Sequence, residues 1–184
     1  FDPEETRRGI SISAAVAPVE WKNVKINVID VPGYFDFIGE SSGPIRVTST
    51  VGIVVSAVGG LTVGADKAWA ASVRQGNGRL FIVNQMDREN ADFDKVLHAL
   101  REKYGSSVVP LLVPVGSSSN FKGVVNLLEN KAFEGAGKAL KEVPVPESLG
   151  GLVDQYMGEI TEAAAESDDE LLEKYFEEGE LSHE

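Results

Sequence analysis

The sequence contains no cysteine. This absence excludes a disulfide-stapled scaffold, a cysteine-based zinc site and thiol catalysis. Only two histidines are present, His98 and His183, which leaves little for a histidine-rich metal site. Any metal bound to this protein is expected to be a hard cation on oxygen ligands.

Long hydrophobic runs are absent as well. No stretch approaches the roughly 20 apolar residues that a membrane-spanning helix requires, and the first residues do not form a signal peptide. The 184 residues, 42% apolar and 25% charged, predict one soluble globular domain, or one domain that carries an insertion. No membrane partner is expected.

The formal net charge of −12 is unevenly distributed. Residues 1–146 hold 16 basic and 16 acidic side chains, whereas residues 147–184 hold one basic side chain and 13 acidic ones. A neutral first part argues against binding of nucleic acid by bulk charge, which requires clustered Lys and Arg, and DNA is not an expected partner. The acidic end is most simply interpreted as the solvated face of two amphipathic helices.

Hydrophobic periodicity predicts the secondary structure. Alternation over residues 10–30 predicts two strands joined by a tight turn at Lys22 and Asn23. Two continuous apolar runs, residues 51–58 and 79–83, are typical of strands buried on both faces of a parallel sheet. Helical spacing follows each run, so the predicted fold class is α/β with a doubly wound, mostly parallel sheet. The larger aromatic side chains are expected in the core: Trp21, Trp69, Phe81 and Phe93.

The predicted pattern of secondary structure changes after residue 105. Short strands are predicted within residues 108–115 and 123–128, and two acidic amphipathic helices follow. We therefore expect a partial α/β core over residues 1–105 and an inserted α+β subdomain over residues 106–184.

Asp30-Val31-Pro32-Gly33 follows the second predicted strand directly. In a nucleotide-binding α/β fold, an Asp at this strand end can hold Mg²⁺ through water, and a Gly three residues later can bring its backbone N–H to a terminal phosphate. The same residues are also ordinary turn chemistry. This motif alone leaves both interpretations open.

Asn84-Gln85-Met86-Asp87 follows the fourth predicted strand, 54 residues after Asp30. It has the form of the guanine-reading motif N-K-x-D, whose Asp carboxylate accepts hydrogen bonds from the guanine N1–H and exocyclic amine. Adenine offers neither donor in that arrangement. Two such motifs, each at the end of its own buried strand, favour a nucleotide site over chance.

Arg7-Arg8-Gly9-Ile10-Ser11-Ile12-Ser13 precedes the first predicted strand. With the three motifs in this order, the chain resembles the translational GTPases, and more closely the elongation factor G family. In that family R-G-I-T-I supplies a Mg²⁺-binding Thr, and D-x-P-G-H supplies a phosphate-sensing Gly and a water-positioning His. The resemblance implies metal ligation by Ser11 and Asp30 and catalytic roles for Gly33 and Tyr34. It also implies nucleotide binding by five residues: Asp30, Gly33, Asn84, Gln85 and Asp87.

The resemblance continues through Phe121-x-Gly123-Val124-Val125 and Lys131-Ala132-Phe133 to the acidic end. These segments are similar to the subdomain that elongation factor G inserts in its GTPase domain. The resemblance implies GTP and Mg²⁺ as cofactors, a cytoplasmic location, and the ribosome as partner through rRNA and the stalk protein. Contact with the stalk is then a second interpretation of the acidic end.

The sequence departs from the family pattern at four places. Tyr34 occupies the His position, and a phenol does not become a cation at neutral pH, so slower or differently triggered hydrolysis is expected. Gln85 occupies the Lys position and loses its charge, while Ser56 stands where relatives often carry Asp. Gly43-Pro44 predicts a break in the helix after D-x-x-G.

The phosphate-binding loop G-x-x-x-x-G-K-[ST] is absent. Gly59 and Gly64 have the required spacing, but Ala65 and Asp66 follow them instead of Lys and Ser or Thr. We therefore expect a GTPase-domain fragment that lacks the phosphate-loop strand and, alone, neither binds GTP tightly nor hydrolyses it. The alternative is a non-catalytic, GTPase-like binding module that has lost turnover.

Overall fold

The computed structural model describes residues 2–168, 171–173 and 175. The chain divides into two compact units: Phe1–Val55 with Leu61–Asn84, and Ser56–Gly60 with Gln85–Glu184. The predicted organisation into a core to residue 105 and an inserted subdomain stays a prediction. Among the described residues, no helix is long and apolar enough to cross a membrane.

The first unit begins with a short helix, α1 (Pro3–Arg8), which the sequence analysis did not predict. Asp2 and Glu5 form a capping box at its N-terminus. The predicted strand from Ile10 is wrong, since strand pairing begins only at Ala15. Several backbone N–H groups between these two positions bind carboxylates instead of a neighbouring strand.

Strands β1 (Ala15–Trp21) and β2 (Val24–Asp30) form the predicted antiparallel hairpin. Lys22 and Asn23 form its two-residue turn, with φ values of 45° and 63°. Positive φ at both positions is what a type I′ hairpin turn requires. Trp21 is 64% exposed, so its predicted place in the core is wrong.

The second strand pair of this unit consists of β3 (Thr50–Ser56) and β4 (Gly78–Asn84), with α3 (Val63–Gln75) between them in the chain. The starts of both strands are adjacent, and further along Gly52 lies beside Ile82. The two strands therefore run in the same direction, which confirms the predicted parallel crossing through a helix.

Among the described residues, side chains cover one face of this strand pair. Ile53 and Val55 are buried, and Trp69 of α3 stacks on Phe81 with ring centroids 5.4 Å apart. On the opposite face, Val54 is 58% exposed, Leu80 is 44% exposed and Ile82 is 46% exposed. The prediction of burial on both faces is wrong for the described residues, because the strands' helical cover lies on the Phe81 side.

The segment after Gly33 is an interrupted helix, but the interruption lies at Phe37 and not at Gly43-Pro44, so the predicted position of the break is wrong. A 3₁₀ stretch, Phe35–Ser41, contains a non-helical residue, Phe37 (φ −108°, ψ 15°). The α-helix α2 (Ser42–Val47) follows directly. Pro44 lies in the first turn of α2, where its missing N–H costs no helical hydrogen bond.

The part of the second unit that the structure describes includes the α-helices α4 (Phe93–Tyr104) and α5 (Gly150–Ala165) and a sheet. Helix α4 is the helix predicted after the second apolar run; Asp92 caps its start and Gly105 ends it. Helix α5 confirms the first acidic helix. An antiparallel sheet lies between them in the chain, with strands in sequence order: β5 (Leu112–Val115), β6 (Gly123–Asn126), β7 (Lys131–Glu134) and β8 (Lys141–Val143). The sequence analysis missed β7 and β8, because strands this short show too few alternations to register as a pattern.

The core of the second unit is formed by α4, the sheet and α5. Its buried members come from all three: Leu97, Val113, Val125, Leu127, Ala132, Val153 and Tyr156. Gly123 is required by the backbone, because a Cβ there would lie 1.9 Å from the carbonyl oxygen of Phe133. Of the predicted second acidic helix, Leu171, Leu172 and Tyr175 are helical, whereas Phe176 and Gly179 lie outside the described residues.

Candidate functional site

Ser11 and Asp30, predicted as metal ligands, lie together in the first unit. The hydroxyl of Ser11 donates a hydrogen bond to Asp30 Oδ2 at 3.0 Å. Asp30 is the last residue of β2, and Ser11 belongs to the irregular segment between α1 and β1. The structure therefore brings two hard oxygen donors within one hydrogen bond of each other, although 19 positions separate them.

Glu5 positions the segment that carries Ser11. Its Oε1 accepts hydrogen bonds from the backbone N–H groups of Ile12 and Ser13 at 2.8 and 3.1 Å. The bond from Ile12, followed by the one from Ser13, lowers the pKa of the Glu5 carboxyl below its ordinary value. The sequence analysis missed Glu5, although the pattern Asp2-x-x-Glu5 is the signature of a capping box.

A second carboxylate, that of Glu40, joins this segment to the one after Gly33. Glu40 Oε2 accepts from the backbone N–H of Ala14 at 3.0 Å. Glu40 lies in the 3₁₀ stretch. The two segments that carry the predicted metal and phosphate contacts are thus held to each other by a direct hydrogen bond.

Gly33 and Tyr34 line an open cavity of about 430 Å³. Ser11 contributes to the same cavity, and Ile10 and Phe35 complete its lining. Tyr34 is 57% exposed, and Lys67 Nζ lies 4.0 Å from the Phe35 ring centroid. The cavity has the polar groups of Ser11 and Tyr34 within an otherwise apolar lining.

The fold does not require a glycine at position 33. A Cβ on Gly33 would meet no heavy atom within 4 Å among the described residues, and its φ is outside the left-handed region. The predicted contact of the Gly33 backbone N–H with a terminal phosphate stays a prediction.

The predicted guanine-reading residues follow β4. Asn84 ends the strand and is the last residue of the first unit, and Gln85 belongs to the second unit. Gln85 has a φ of 65°, an uncommon conformation for a residue other than glycine, asparagine or aspartate. Met86 is 7% exposed and anchors the loop, while Asp87 is exposed to solvent, where its carboxylate is accessible to a ligand.

A match to a protein family decides the identity of the fold. Residues 1–181 match the sequence profile described as the elongation factor Tu GTP binding domain. The chain belongs to this family. An elongation factor G-like protein of Thermotoga maritima is 38% identical over 175 residues, which are 95% of this chain and 25% of that protein. A crystal structure of a Thermus thermophilus protein superposes with a TM-score of 0.89 at 30% identity, covering 98% of this chain and 27% of the other.

Membership in the elongation factor Tu GTP-binding family confirms the predicted resemblance to translational GTPases and the α/β fold class. The family is one of GTP-binding domains with GTPase activity in general. The chain spans about a quarter of the length of these relatives.

The oxygen donors present are compatible with the Mg²⁺ that accompanies GTP. Mg²⁺ takes one or two protein oxygens and completes its octahedron with water and substrate phosphates. The Ser11 hydroxyl and the Asp30 carboxylate, already within 3.0 Å of each other, are donors of this type. Among the described residues, no group of three or more His, Cys, Asp or Glu could hold a metal, so such an ion would depend on phosphate oxygens.

The two glycines of the pair belong to different elements: Gly59 lies in the turn after β3, and Gly64 is the second residue of α3. Thr62 caps α3 by accepting from the N–H of Ala65, and Asp66 lies in the first turn. A carboxylate at a helix N-terminus occupies the position that would attract a phosphate and repels an anion there. This geometry argues against a phosphate loop between Gly59 and Gly64.

Proposed function

We propose that this chain supplies the switch segments and the guanine-reading loop of an elongation factor G-like protein that hydrolyses GTP on the ribosome. The observation that carries the proposal is the hydrogen bond of Ser11 to Asp30 at the cavity that Gly33 and Tyr34 line. The ribosome, through rRNA and the stalk protein, is the proposed partner, and the proposed location is cytoplasmic. Neither DNA nor a membrane is a proposed partner.

The proposed roles follow from the chemistry of each group. Ser11 and Asp30 would hold Mg²⁺, which when bound neutralises phosphate charge. The backbone N–H of Gly33 donates to the terminal phosphate, and Tyr34 donates one hydrogen bond to the attacking water. Asp87 accepts from the N1–H and exocyclic amine of guanine, with Asn84 and Gln85 supporting that loop. Ordering of the segments next to Ser11 and Gly33 then depends on the terminal phosphate.

Ribosome-stimulated GTP hydrolysis by the intact protein tests this function. Purified ribosomes should raise the hydrolysis rate, and Tyr34→His should raise the stimulated rate further, since an imidazole can both donate and accept a proton at neutral pH. Tyr34→Phe is the matched control and should lower it. Equal rates with and without ribosomes would contradict the proposal.

A second candidate function is a GTPase-like binding module without turnover. Tyr34 in the His position and the uncharged Gln85 favour it. The same assay separates the two: GDP binding without hydrolysis at any ribosome concentration supports the module. For the 184 residues alone, we expect isothermal titration with GTP and Mg²⁺ to give no micromolar affinity, because the chain has no phosphate loop.

A further inference from the structure

Gln85 is held in an unfavourable backbone conformation by its surroundings. Its φ of 65° places an unbranched side chain in the left-handed region, which costs energy unless neighbouring groups over-determine it. Its carbonyl accepts from the N–H of Arg88 at 3.1 Å, and the next carbonyl, that of Met86, accepts from Ser118 at 2.8 Å. The side chain of Gln85 accepts a short hydrogen bond, 2.6 Å, from the hydroxyl of Ser56.

The hydroxyl of Ser56 makes all three hydrogen bonds that a serine hydroxyl can make. A serine hydroxyl donates one hydrogen bond and accepts two. Ser56 Oγ donates to Gln85 Oε1 and accepts from the backbone N–H groups of Val58 and Gly59 at 3.2 and 3.0 Å. Both lone pairs of Ser56 Oγ accept from backbone N–H groups, so the hydroxyl can only donate to the side chain at position 85. That side chain must therefore offer an acceptor, and the amide oxygen of Gln85 is one.

The loop that Ser56 begins belongs to the second unit and is held there by backbone hydrogen bonds. The backbone N–H of Gly60 donates to the carbonyl of Ser56 at 2.8 Å, and the N–H of Asp92 donates to the carbonyl of Ala57 at 3.0 Å. Asp92 also caps α4. Ser56 is therefore a fixed point against which the side chain of Gln85 can be positioned.

We propose that Ser56 is a positioning residue for guanine recognition, which sets the loop that presents Asp87 through its hydrogen bond to Gln85. This inference rests on the proposed function, because it assumes that Asp87 reads guanine. Ser56 and Gln85 form a matched donor and acceptor pair at two positions that both depart from the family pattern. Loss of the Ser56 hydroxyl removes this hydrogen bond to Gln85 and loosens the loop before Asp87.

Nucleotide binding to the intact protein tests the pair. GDP and inosine diphosphate, which lacks the exocyclic amine, are titrated against the unaltered protein, Ser56→Ala and Ser56→Thr. Ser56→Ala should weaken GDP binding about three- to tenfold, the worth of one hydrogen bond, and reduce the preference for GDP over inosine diphosphate. Ser56→Thr keeps the hydroxyl and should retain both. Ser106→Ala, at an exposed serine, is the matched control.

A double-mutant cycle completes the test. Gln85→Met keeps a long side chain but removes the acceptor, so adding Ser56→Ala to it should weaken GDP binding less than Ser56→Ala does alone. If the unaltered protein binds GDP no better than inosine diphosphate, both the proposed function and this inference fail. If it prefers GDP, and Ser56→Ala matches Ser56→Thr or acts additively with Gln85→Met, only this inference fails.

Discussion

Asn77 Nδ2 donates a hydrogen bond to the carbonyl oxygen of Thr48 at 2.6 Å and another to that of Ile45 at 3.1 Å. Asn77 is 8% exposed and belongs to the turn between α3 and β4. Both carbonyls lie at the C-terminal end of α2. A single buried amide therefore fixes the end of the segment that begins at Gly33.

Replacement of Asn77 should destabilise the first unit. Asn77→Ala leaves two carbonyl groups without this donor, so the free energy of unfolding in urea should fall by about 1–3 kcal/mol. Asn77→Asp has the same shape but donates nothing to the carbonyls and brings a charge into a buried site, so its loss should be larger. An Asp variant more stable than the Ala variant would contradict this account of the site.

Arg101 joins the two helices of the second unit. Its guanidinium pairs with Glu159 of α5, donates to the carbonyl of Val108 at 2.9 Å and lies over the Tyr156 ring at 5.7 Å. Arg101→Lys keeps the charge but loses the planar fork, so thermal unfolding should show a loss of about 1–2 kcal/mol. Glu102→Gln, at the next and exposed position, should change stability by less than about 0.5 kcal/mol.

The order of the segment that carries Ser11 should depend on pH through Glu5. Its pKa is lowered below 4.5 in the folded protein by the N–H groups of Ile12 and Ser13. The stabilisation is therefore complete at neutral pH and is lost as pH falls from about 4.5 through the lowered pKa. NMR shifts of the Ile12 and Ser13 amides should report this transition.

Glu5→Gln should abolish that transition, because its amide oxygen still accepts hydrogen bonds but does not titrate in this range. Glu4→Gln is the matched control, since Glu4 pairs with Arg7 and Arg8 and should leave the Ile12 and Ser13 amide shifts titrating as before. Persistence of the transition in Glu5→Gln would assign it to another carboxylate.

Gly33→Ala should separate folding from function. The added methyl meets nothing within 4 Å in the described structure, so stability should be unchanged or raised by up to about 1 kcal/mol. In the intact protein, a methyl where the phosphate approaches should lower ribosome-stimulated GTP hydrolysis by about tenfold or more. Gly39→Ala, also at an open position of the same segment, should retain activity. Equal activity of the Gly33→Ala and Gly39→Ala variants would contradict a phosphate contact at Gly33.

Periodicity and motif spacing predicted the hairpin, the parallel pair β3 and β4, and the helices α3 to α5, because these elements repeat their pattern over enough residues. The resemblance to elongation factor G, and not periodicity, implied that Ser11 and Asp30 share a site, and their side chains are hydrogen-bonded. The exposure of Trp21 and Val54 was not predictable, because an apolar side chain in a strand gives no indication of what covers it. The positioning roles of Glu5 and Asn77 depend on hydrogen bonds between their side chains and the backbone of residues elsewhere in the chain. Such contacts produce no periodic pattern in the sequence.

Gly123 has a consequence for how sequence invariance within the family is interpreted. It belongs to the Phe121-x-Gly123 segment that resembles elongation factor G, and the carbonyl of Phe133 occupies the space of any side chain there. Relatives that keep β6 and β7 in this pairing must retain glycine whether or not they touch a ribosome. Invariance at Gly123 would thus record the geometry of a sheet, and it carries no weight as evidence of a shared partner.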